Sequence, residues 1–245
     1  LRPILKAYIG PYQSAFIPGR GTTSNVIILQ EVVAAFHNKK RKAKEVIFKI
    51  DLEKAYDNVR WEFLESCLME IDLPNHIQRI IMYCIRSPSY TILWNGGQLN
   101  SFTPGKGIRQ GDPLSPYLFV IAMEKLSRTI ENLVGKGEWK PIKIGRRAPP
   151  ISHLIFADNL LLFSECDMTS IQCMNRTLKQ FAIAAGLQVN VTKSSGMASF
   201  ATEDEIKIQI SQIMGMSFTN RFEKYLGFPV FHGRVKADQF RFILE

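Results

Sequence analysis

The chain has 245 residues, 46% of them hydrophobic, and a formal net charge of +9, with a pI near 9.4. That is enough apolar material for a real core in one large domain or two small ones. The basic balance favours a polyanionic partner, nucleic acid before a membrane surface.

No run of about twenty apolar residues occurs, so no membrane-spanning helix is expected, and no charged-then-apolar leader opens the chain. Cys67, Cys84, Cys166 and Cys173 lack Cys-x-x-Cys spacing. They point to a reducing, intracellular compartment with buried thiols, and away from a zinc site or disulfide frame. Without repeats or a low-complexity linker, a single domain is expected.

Gln13–Gly21 reads as a loop rich in glycine and proline. The apolar positions Val26, Leu29, Val32, Val33 and Phe36 predict a helix over Thr22–His37, capped by Thr23 or Ser24. A basic run follows, Lys39-Lys40-Arg41-Lys42 with Lys44. It reads either as a solvated helix end or as a phosphate-contacting patch or nuclear-import signal. Glu45–Asp51 is a predicted strand that delivers Asp51 at its C-terminal end. Tyr56 sits between this strand and a predicted helix Val59–Ile71, capped by Asp57 or Asn58. Asn75–Arg86 is a further helix. Ser89–Asn95 and Gln98–Phe102 form a hairpin around Asn95-Gly96-Gly97.

Pro104–Gly111 is a glycine-rich loop bearing Lys106 and Arg109, of the kind that lays backbone N–H groups against phosphates. It lacks the Walker pattern. Asp112-Pro113 should start a long apolar helix reaching about Val134. Trp139–Ile144 reads as a short strand. Ile151–Glu165 is the most telling stretch, with two apolar runs flanking Ala157-Asp158-Asn159. It reads as a tight, buried hairpin. Its turn then holds a carboxylate at the edge of an apolar sheet, which is costly unless a metal ion or basic group sits on it. The simpler alternative is that Asp158 and Asn159 are good turn formers. Met168–Ala185 is an amphipathic helix closed by Gly186. Leu187–Val191 is a predicted strand, Glu203–Met214 a helix, and Lys224–Val230 a short aromatic strand before a basic tail. Strands and helices without regular βαβ alternation predict an α+β fold, with helices packed on one face of an antiparallel sheet.

Four motifs occur in order: Gln13-Ser-Ala-Phe-Ile-Pro-Gly-Arg20, Phe48-Lys-Ile-Asp51-Leu-Glu-Lys-Ala-Tyr56-Asp57-Asn-Val59, Gly107-Ile-Arg-Gln110-Gly111-Asp-Pro-Leu-Ser-Pro116, and Phe156-Ala-Asp158-Asn159. Together they resemble the reverse transcriptase domain of plant non-LTR (LINE-type) retrotransposons, over nearly the whole chain. The resemblance implies a right-hand polymerase palm over residues 46–231, with a fingers insertion near 61–105. Residues 1–45 would be partial fingers and 232–245 the start of a thumb.

The resemblance also implies RNA-directed DNA polymerase chemistry on an RNA template, a DNA primer and deoxynucleoside triphosphates. It implies two Mg²⁺ (or Mn²⁺) ions held by Asp51 and Asp158, with Asn159 alongside as a third catalytic position. Tyr56 would exclude a ribose 2′-hydroxyl. Gln110 and Gly111 would belong to the loop that touches the incoming nucleotide and the template. Lys193 would protonate departing pyrophosphate, and Tyr225, Leu226 and Gly227 would form the primer grip.

Two departures from the family pattern stand out. The family turn has two consecutive aspartates where this chain has Asp158-Asn159. Losing one charged contact in a desolvated site costs about 2–5 kcal/mol, or roughly two to three orders of magnitude in rate. Leu1–Leu5 resembles the segment just before Gln-Ser-Ala-Phe, so the upstream fingertip phosphate site is expected to be absent, with the thumb. An impaired polymerase and a non-catalytic remnant that at most binds nucleic acid both remain open.

Overall fold

The computed structural model of the chain describes residues 2–145 and 147–232. Helices α1 (Arg2–Tyr8) and α2 (Thr22–Phe36) precede strand β1 (Glu45–Ile50). A single turn, α3 (Ala55–Asn58), leads into α4 (Trp61–Glu70) and α5 (Asn75–Arg86). A short hairpin, β2 (Leu93–Trp94) and β3 (Gly97–Gln98), comes before the long helix α6 (Ser115–Gly135). Strands β4 (His153–Phe156) and β5 (Asn159–Glu165) form a second hairpin. Then come α7 (Met168–Ala185), β6 (Ser195–Ala198), α8 (Asp204–Met214), and a last hairpin of β7 (Lys224–Tyr225) and β8 (Phe228–Pro229). The expected thumb start falls outside the described residues after residue 232.

The central sheet has four antiparallel strands in the order β4-β5-β1-β6. Successive side chains alternate between its faces, and both faces are apolar. Val46, Phe48 and Ile50 of β1 join Leu160 and Leu162 of β5 against α4, α6 and α7, where Leu64, Phe119 and Met174 are buried. On the opposite face Ile47, Leu161, Phe163 and Met197 meet Leu29, Val33 and Phe36 of α2, and Tyr225 of the last hairpin. The α+β palm architecture is therefore present. Its main helical layer lies on one face, and α2 with the β7–β8 hairpin closes the other.

Several local expectations give way to tertiary packing. Leu187–Val191 is not a strand; it contributes one bridge, Leu52 to Val189, and the fourth strand is β6. Trp139–Ile144 likewise reduces to a bridge between Ile142 and Ile151. Helix α6 begins two residues after Pro113, at Ser115; the Asp112 carboxylate instead accepts the Leu114 N–H at 2.8 Å. Gly21 and Arg60, not Thr23, Ser24, Asp57 or Asn58, precede α2 and α4, and neither start has a side-chain cap. Gly186 does close α7, with a left-handed φ of 76°. Lys224–Val230 is a hairpin folded at Leu226-Gly227, not one strand.

The basic run is partly spent on the fold. Arg41 forks onto the buried Glu45 carboxylate, at 2.5 and 2.7 Å from one nitrogen and 3.1 Å from another, and also donates to the Lys143 and Ile144 carbonyls. Lys44 pairs with Glu203 at 2.7 Å, and Lys39 sits over the Phe200 ring.

His153 in β4 is fully buried, its two ring nitrogens 2.8 Å from the Ser127 hydroxyl and 2.9 Å from the Ser152 hydroxyl. Burial pushes its pKa down from 6.5 to about 3. The unfolded chain therefore binds a proton near pH 6.5 that the folded chain refuses until about pH 3, so stability falls as pH drops through that window. Between pH 7 and pH 5 this group should remove about 2 kcal/mol of stability. Urea unfolding at the two pH values should show the loss, and a His153→Gln chain should show less of it. Equal pH dependence in the two chains would refute the assignment.

Candidate active site at the Ala157–Asn159 turn

Strand β1 ends at Ile50, which pairs with Leu160 of β5. One step further along this register, Asp51 lies beside Asn159, and Asp158 sits at the hairpin turn. The turn is tight: Phe156 pairs directly with Asn159, and Ala157 takes a positive φ of 53°. A left-handed alanine is strained, and a brace holds it. Gln13, fully buried, accepts hydrogen bonds at its side-chain oxygen from the Ala15 N–H at 2.9 Å and the Ala157 N–H at 3.3 Å. Its flanks run along β4. The Ile155 N–H donates to Tyr12 O at 2.8 Å, the Ser14 N–H donates to Ile155 O at 3.1 Å, and Asn25 of α2 donates to the same carbonyl at 3.2 Å.

This loop is itself clamped. Arg20 donates to the carbonyls of Ile9, Gly10 and Gln13, so it is a carbonyl clamp and not a salt-bridge partner. The buried Glu124 of α6 accepts the Gly10 N–H at 3.1 and 3.2 Å. Burial pushes the Glu124 carboxyl up, opposed by its bonds to Arg128 and Gly10.

Asp51 is pinned through its backbone. Its N–H donates to the Ser194 hydroxyl at 3.0 Å, and its carbonyl accepts the Asn190 N–H at 2.9 Å. The Asn190–Ser194 turn thereby brings Lys193 to the same end of the sheet. Lys193 is exposed, and its ammonium has no partner among the described residues. Desolvation against the apolar hairpin pushes the Asp158 carboxyl up, and the nearby Asp51 charge pushes it further. The Asn159 amide nitrogen lies 3.4 Å from the Asp158 carboxylate.

Tyr56 lies over the floor of the site. Its ring stacks on Phe119 of α6, with centroids 4.8 Å apart and planes 16° from parallel. Burial, then the charge of Asp158, pushes its phenol up to about 12. The glycine-rich loop is fastened to the same segment. The Ile108 N–H donates to Tyr56 O at 2.8 Å, the Gly107 N–H donates to Val59 O at 2.7 Å, and the Trp61 indole N–H donates to Gly107 O at 2.6 Å. Gly107 is obligatory: at φ 86° an added Cβ would stand 2.6 Å from Asp57 O. Gln110 and Gly111 are exposed just beyond, with Gln110 3.3 Å from the Asp57 carboxylate.

Tyr225, Leu226 and Gly227 stand apart from this group. The β7–β8 hairpin packs on the α2 face of the sheet and is tied to β1 by Lys49, whose ammonium donates to Lys224 O at 3.1 Å. Tyr225 is buried, with Asn25 near its hydroxyl but outside hydrogen-bond geometry, and burial raises it to about 12. Leu226-Gly227 forms the outward tip. The sequence thus marked the acids, Tyr56 and the loop, but not Gln13, Ser194, Phe119 or Glu124. For Gln13 the signal was present, since it opens one of the four motifs, and Ser194 directly follows Lys193.

Two acids at the ends of neighbouring central strands, a tyrosine on the floor helix and a glycine-rich loop above it define a polymerase palm. The chain belongs to the reverse transcriptase (RNA-dependent DNA polymerase) family, whose model matches residues 1–230. A retrovirus-related Pol polyprotein from a type-2 retrotransposable element of Drosophila melanogaster is 28% identical over 183 residues, covering 75% of this chain and 16% of that protein. A Pol polyprotein from a type-1 retrotransposable element of Popillia japonica is 26% identical over 78% of this chain and 26% of its own length. An uncharacterized mitochondrial protein of Arabidopsis thaliana is 43% identical over 65 residues, 26% of this chain and 53% of that protein. The chain is therefore similar to the reverse transcriptase domain of non-LTR retrotransposon polyproteins, and spans a minor part of the two polyproteins. Among solved structures, a telomerase of Candida tropicalis in complex with a telomeric RNA fragment shares the fold, with a TM-score of 0.62 at 15% identity over 94% of this chain and 34% of that one.

Two tests follow from the geometry. Gly107→Ala should destabilise the fold by about 1–3 kcal/mol, read as a lower urea midpoint; an unchanged midpoint would mean the loop is not anchored as described. Asp51→Asn should lower the pKa of Asp158 by removing the like charge. Carboxyl-carbon NMR titration reads this directly, and an unmoved Asp158 would separate the two acids.

Proposed function

We propose that this chain is an RNA-directed DNA polymerase domain that extends a DNA primer on an RNA template, from deoxynucleoside triphosphates. The observation that carries the reading is the pair of acids, Asp51 and Asp158, brought by the β1–β5 register to one edge and close enough for one charge to disfavour the other. Such a pair is stable when a cation neutralises it.

Among the described residues no group of three or more His, Cys, Asp or Glu side chains is placed to hold a metal ion, at this turn or away from it. The donors at the turn, two carboxylates with the Asn159 amide oxygen, are the hard oxygen ligands that suit Mg²⁺ or Mn²⁺. Held there, two such ions would activate the primer 3′-hydroxyl and neutralise the triphosphate. Tyr56, fixed on Phe119, excludes a ribose 2′-hydroxyl from the nucleotide site. Gln110 and Gly111 position the base and sugar, Lys193 supplies a proton to leaving pyrophosphate, and Tyr225, Leu226 and Gly227 steady the primer end.

A plant host is part of this reading and is supported by the Arabidopsis segment. A nuclear location is supported by the exposed Lys40 and Lys42 of the basic run. No helix among the described residues is long and apolar enough to cross a membrane.

One observation favours a second reading, a polymerase-like remnant that only binds nucleic acid. Asn159 sets a neutral amide donor against Asp158 where the family carries a second charge. Primer extension on an oligonucleotide-primed RNA template with Mg²⁺ or Mn²⁺ separates the two readings. The parent chain should extend roughly two to three orders of magnitude more slowly than Asn159→Asp, and Asp51→Ala should not extend. No extension by the parent or by Asn159→Asp would favour the remnant.

A further inference from the structure

Two histidines away from the acids stand together where the end of α2 meets the segment leaving the last hairpin. His37 is the C-cap of α2 and is exposed. His232 follows β8, and the two rings meet edge to face, with centroids 5.1 Å apart and planes at 68°. Gln30 of α2 brings the segment there by gripping the Phe231 backbone twice. Its amide nitrogen donates to Phe231 O at 2.7 Å, and its amide oxygen accepts the Phe231 N–H at 3.0 Å.

Backbone carbonyls fix the tautomer of each ring. His37 Nδ1 lies 2.9 Å from Val33 O, and His232 Nε2 lies 2.9 Å from Phe222 O. A carbonyl only accepts, so each of these nitrogens carries the proton. The other two, His37 Nε2 and His232 Nδ1, therefore carry lone pairs in the neutral rings. His232 Nδ1 is buried and has no partner among the described residues. A buried polar atom in that condition calls for an occupant, a water or an ion.

Histidine metal ligands share this arrangement. One ring N–H donates to a backbone carbonyl, which orients the other nitrogen and raises its basicity. Two imidazoles on one tetrahedral ion, with metal–nitrogen bonds of about 2 Å, have ring centres about 5 Å apart, and that is the spacing of His37 and His232. No third His, Cys, Asp or Glu among the described residues joins them, and the Arg221 charge is near enough to be felt at His232. Two neutral nitrogens beside a cation reject hard ions such as Mg²⁺, which require oxygen ligands. They suit Zn²⁺, Ni²⁺ or Cu²⁺, which bind imidazole well, with water filling the remaining positions.

We propose that His37 and His232 form a second metal site, for an imidazole-binding divalent cation of the Zn²⁺ class, separate from the acids at the Ala157–Asn159 turn. The ion ties the end of α2 to the segment after the β7–β8 hairpin and adds to the Gln30 strap. The hairpin, which packs on the α2 face of the sheet, is held more firmly when the ion is bound.

Calorimetric titration of the metal-free chain, carrying no histidine tag, with ZnCl₂ and with MgCl₂ tests this, together with the urea midpoint in each. Zn²⁺ should bind saturably and raise the midpoint, since it binds only the folded pair; Mg²⁺ should not displace it. Because His37 is exposed, His37→Gln should fold as the parent does without metal and should bind Zn²⁺ about tenfold or more weakly. His232→Gln should lose the same affinity. His76→Gln, on α5, should keep it, and so should Asp51→Ala. Paramagnetic resonance of bound Cu²⁺ should show two imidazole nitrogens in the parent and one in His37→Gln.

The proposal is overturned if Zn²⁺ does not saturate, if His37→Gln binds it as tightly as the parent, if Cu²⁺ shows a single nitrogen in the parent, or if Asp51→Ala abolishes the zinc binding. Water is then the occupant at His232 Nδ1. None of these readouts depends on primer extension, so the site and the polymerase reading stand or fall separately.

Discussion

Antiparallel pairing of β1 with β5 is the constraint on which the site depends. Shifting a strand by one residue turns each of its side chains to the opposite face. Here both faces are apolar, so hydrophobicity alone discriminates weakly between registers. The ends of β1 decide it. At one end Glu45 is buried against the Arg41 fork and takes the Ser199 hydroxyl on its N–H. At the other, Asp51 is held between Ser194 and Asn190. Between them Lys49 must reach solvent beside Lys224. A slip would bury a lysine, strip a buried carboxylate of its partner and separate the two acids. Leaving one buried charge unpaired costs about 3–5 kcal/mol, far more than any gain in apolar contact from the shift.

A second constraint comes from outside the sheet. The turn is strained at the buried Ala157, and the segment that steadies it is over a hundred residues away in the chain. Gln13 reaches it because Tyr12 and Ser14 run along β4 and because Arg20 and Glu124 hold the loop from two sides. Three polar side chains, Gln13, Arg20 and Glu124, all engaged mainly with backbone groups, thus carry the position of one carboxylate. Buried polar contacts of this kind specify one arrangement, here through the Gln13 oxygen, while the Gln13 side-chain nitrogen is buried without a partner among the described residues.

The parts of this arrangement legible in the sequence were those written locally. Periodicity located α2, α5 and α7. The short apolar runs around Asp158 announced the hairpin, and the ordered motifs singled out Asp51, Tyr56 and Gln110. What failed was decided by distant partners. Ser195–Ala198 has weak strand propensity and was passed over for Leu187–Val191. It is nonetheless the strand, because Gly196 leaves room for Phe48 and Phe218, whose rings would stand within 2.8 and 3.1 Å of an added Cβ. Side-chain fit overrides β-propensity in such cases. The start of α6 was misplaced because Asp112 satisfies the Leu114 N–H inside the loop and defers the helix. The role of Arg20 was not legible because a lone arginine in a loop gives no hint that three carbonyls converge on it.

Helix α6 has 21 residues, roughly 30 Å of hydrogen-bonded rod. Its first turn continues the loop bearing Gln110. Phe119, one turn in, is the surface on which Tyr56 rests, and Glu124, a little further, grips the N–H of Gly10. A rod that resists compression gives these three attachments a common mechanical reference. Displacement of the glycine-rich loop along the helix axis is transmitted to the ring under Tyr56 and to the loop that steadies Ala157. Nucleotide-side and acid-side geometry are therefore not independent adjustments but two ends of one strut.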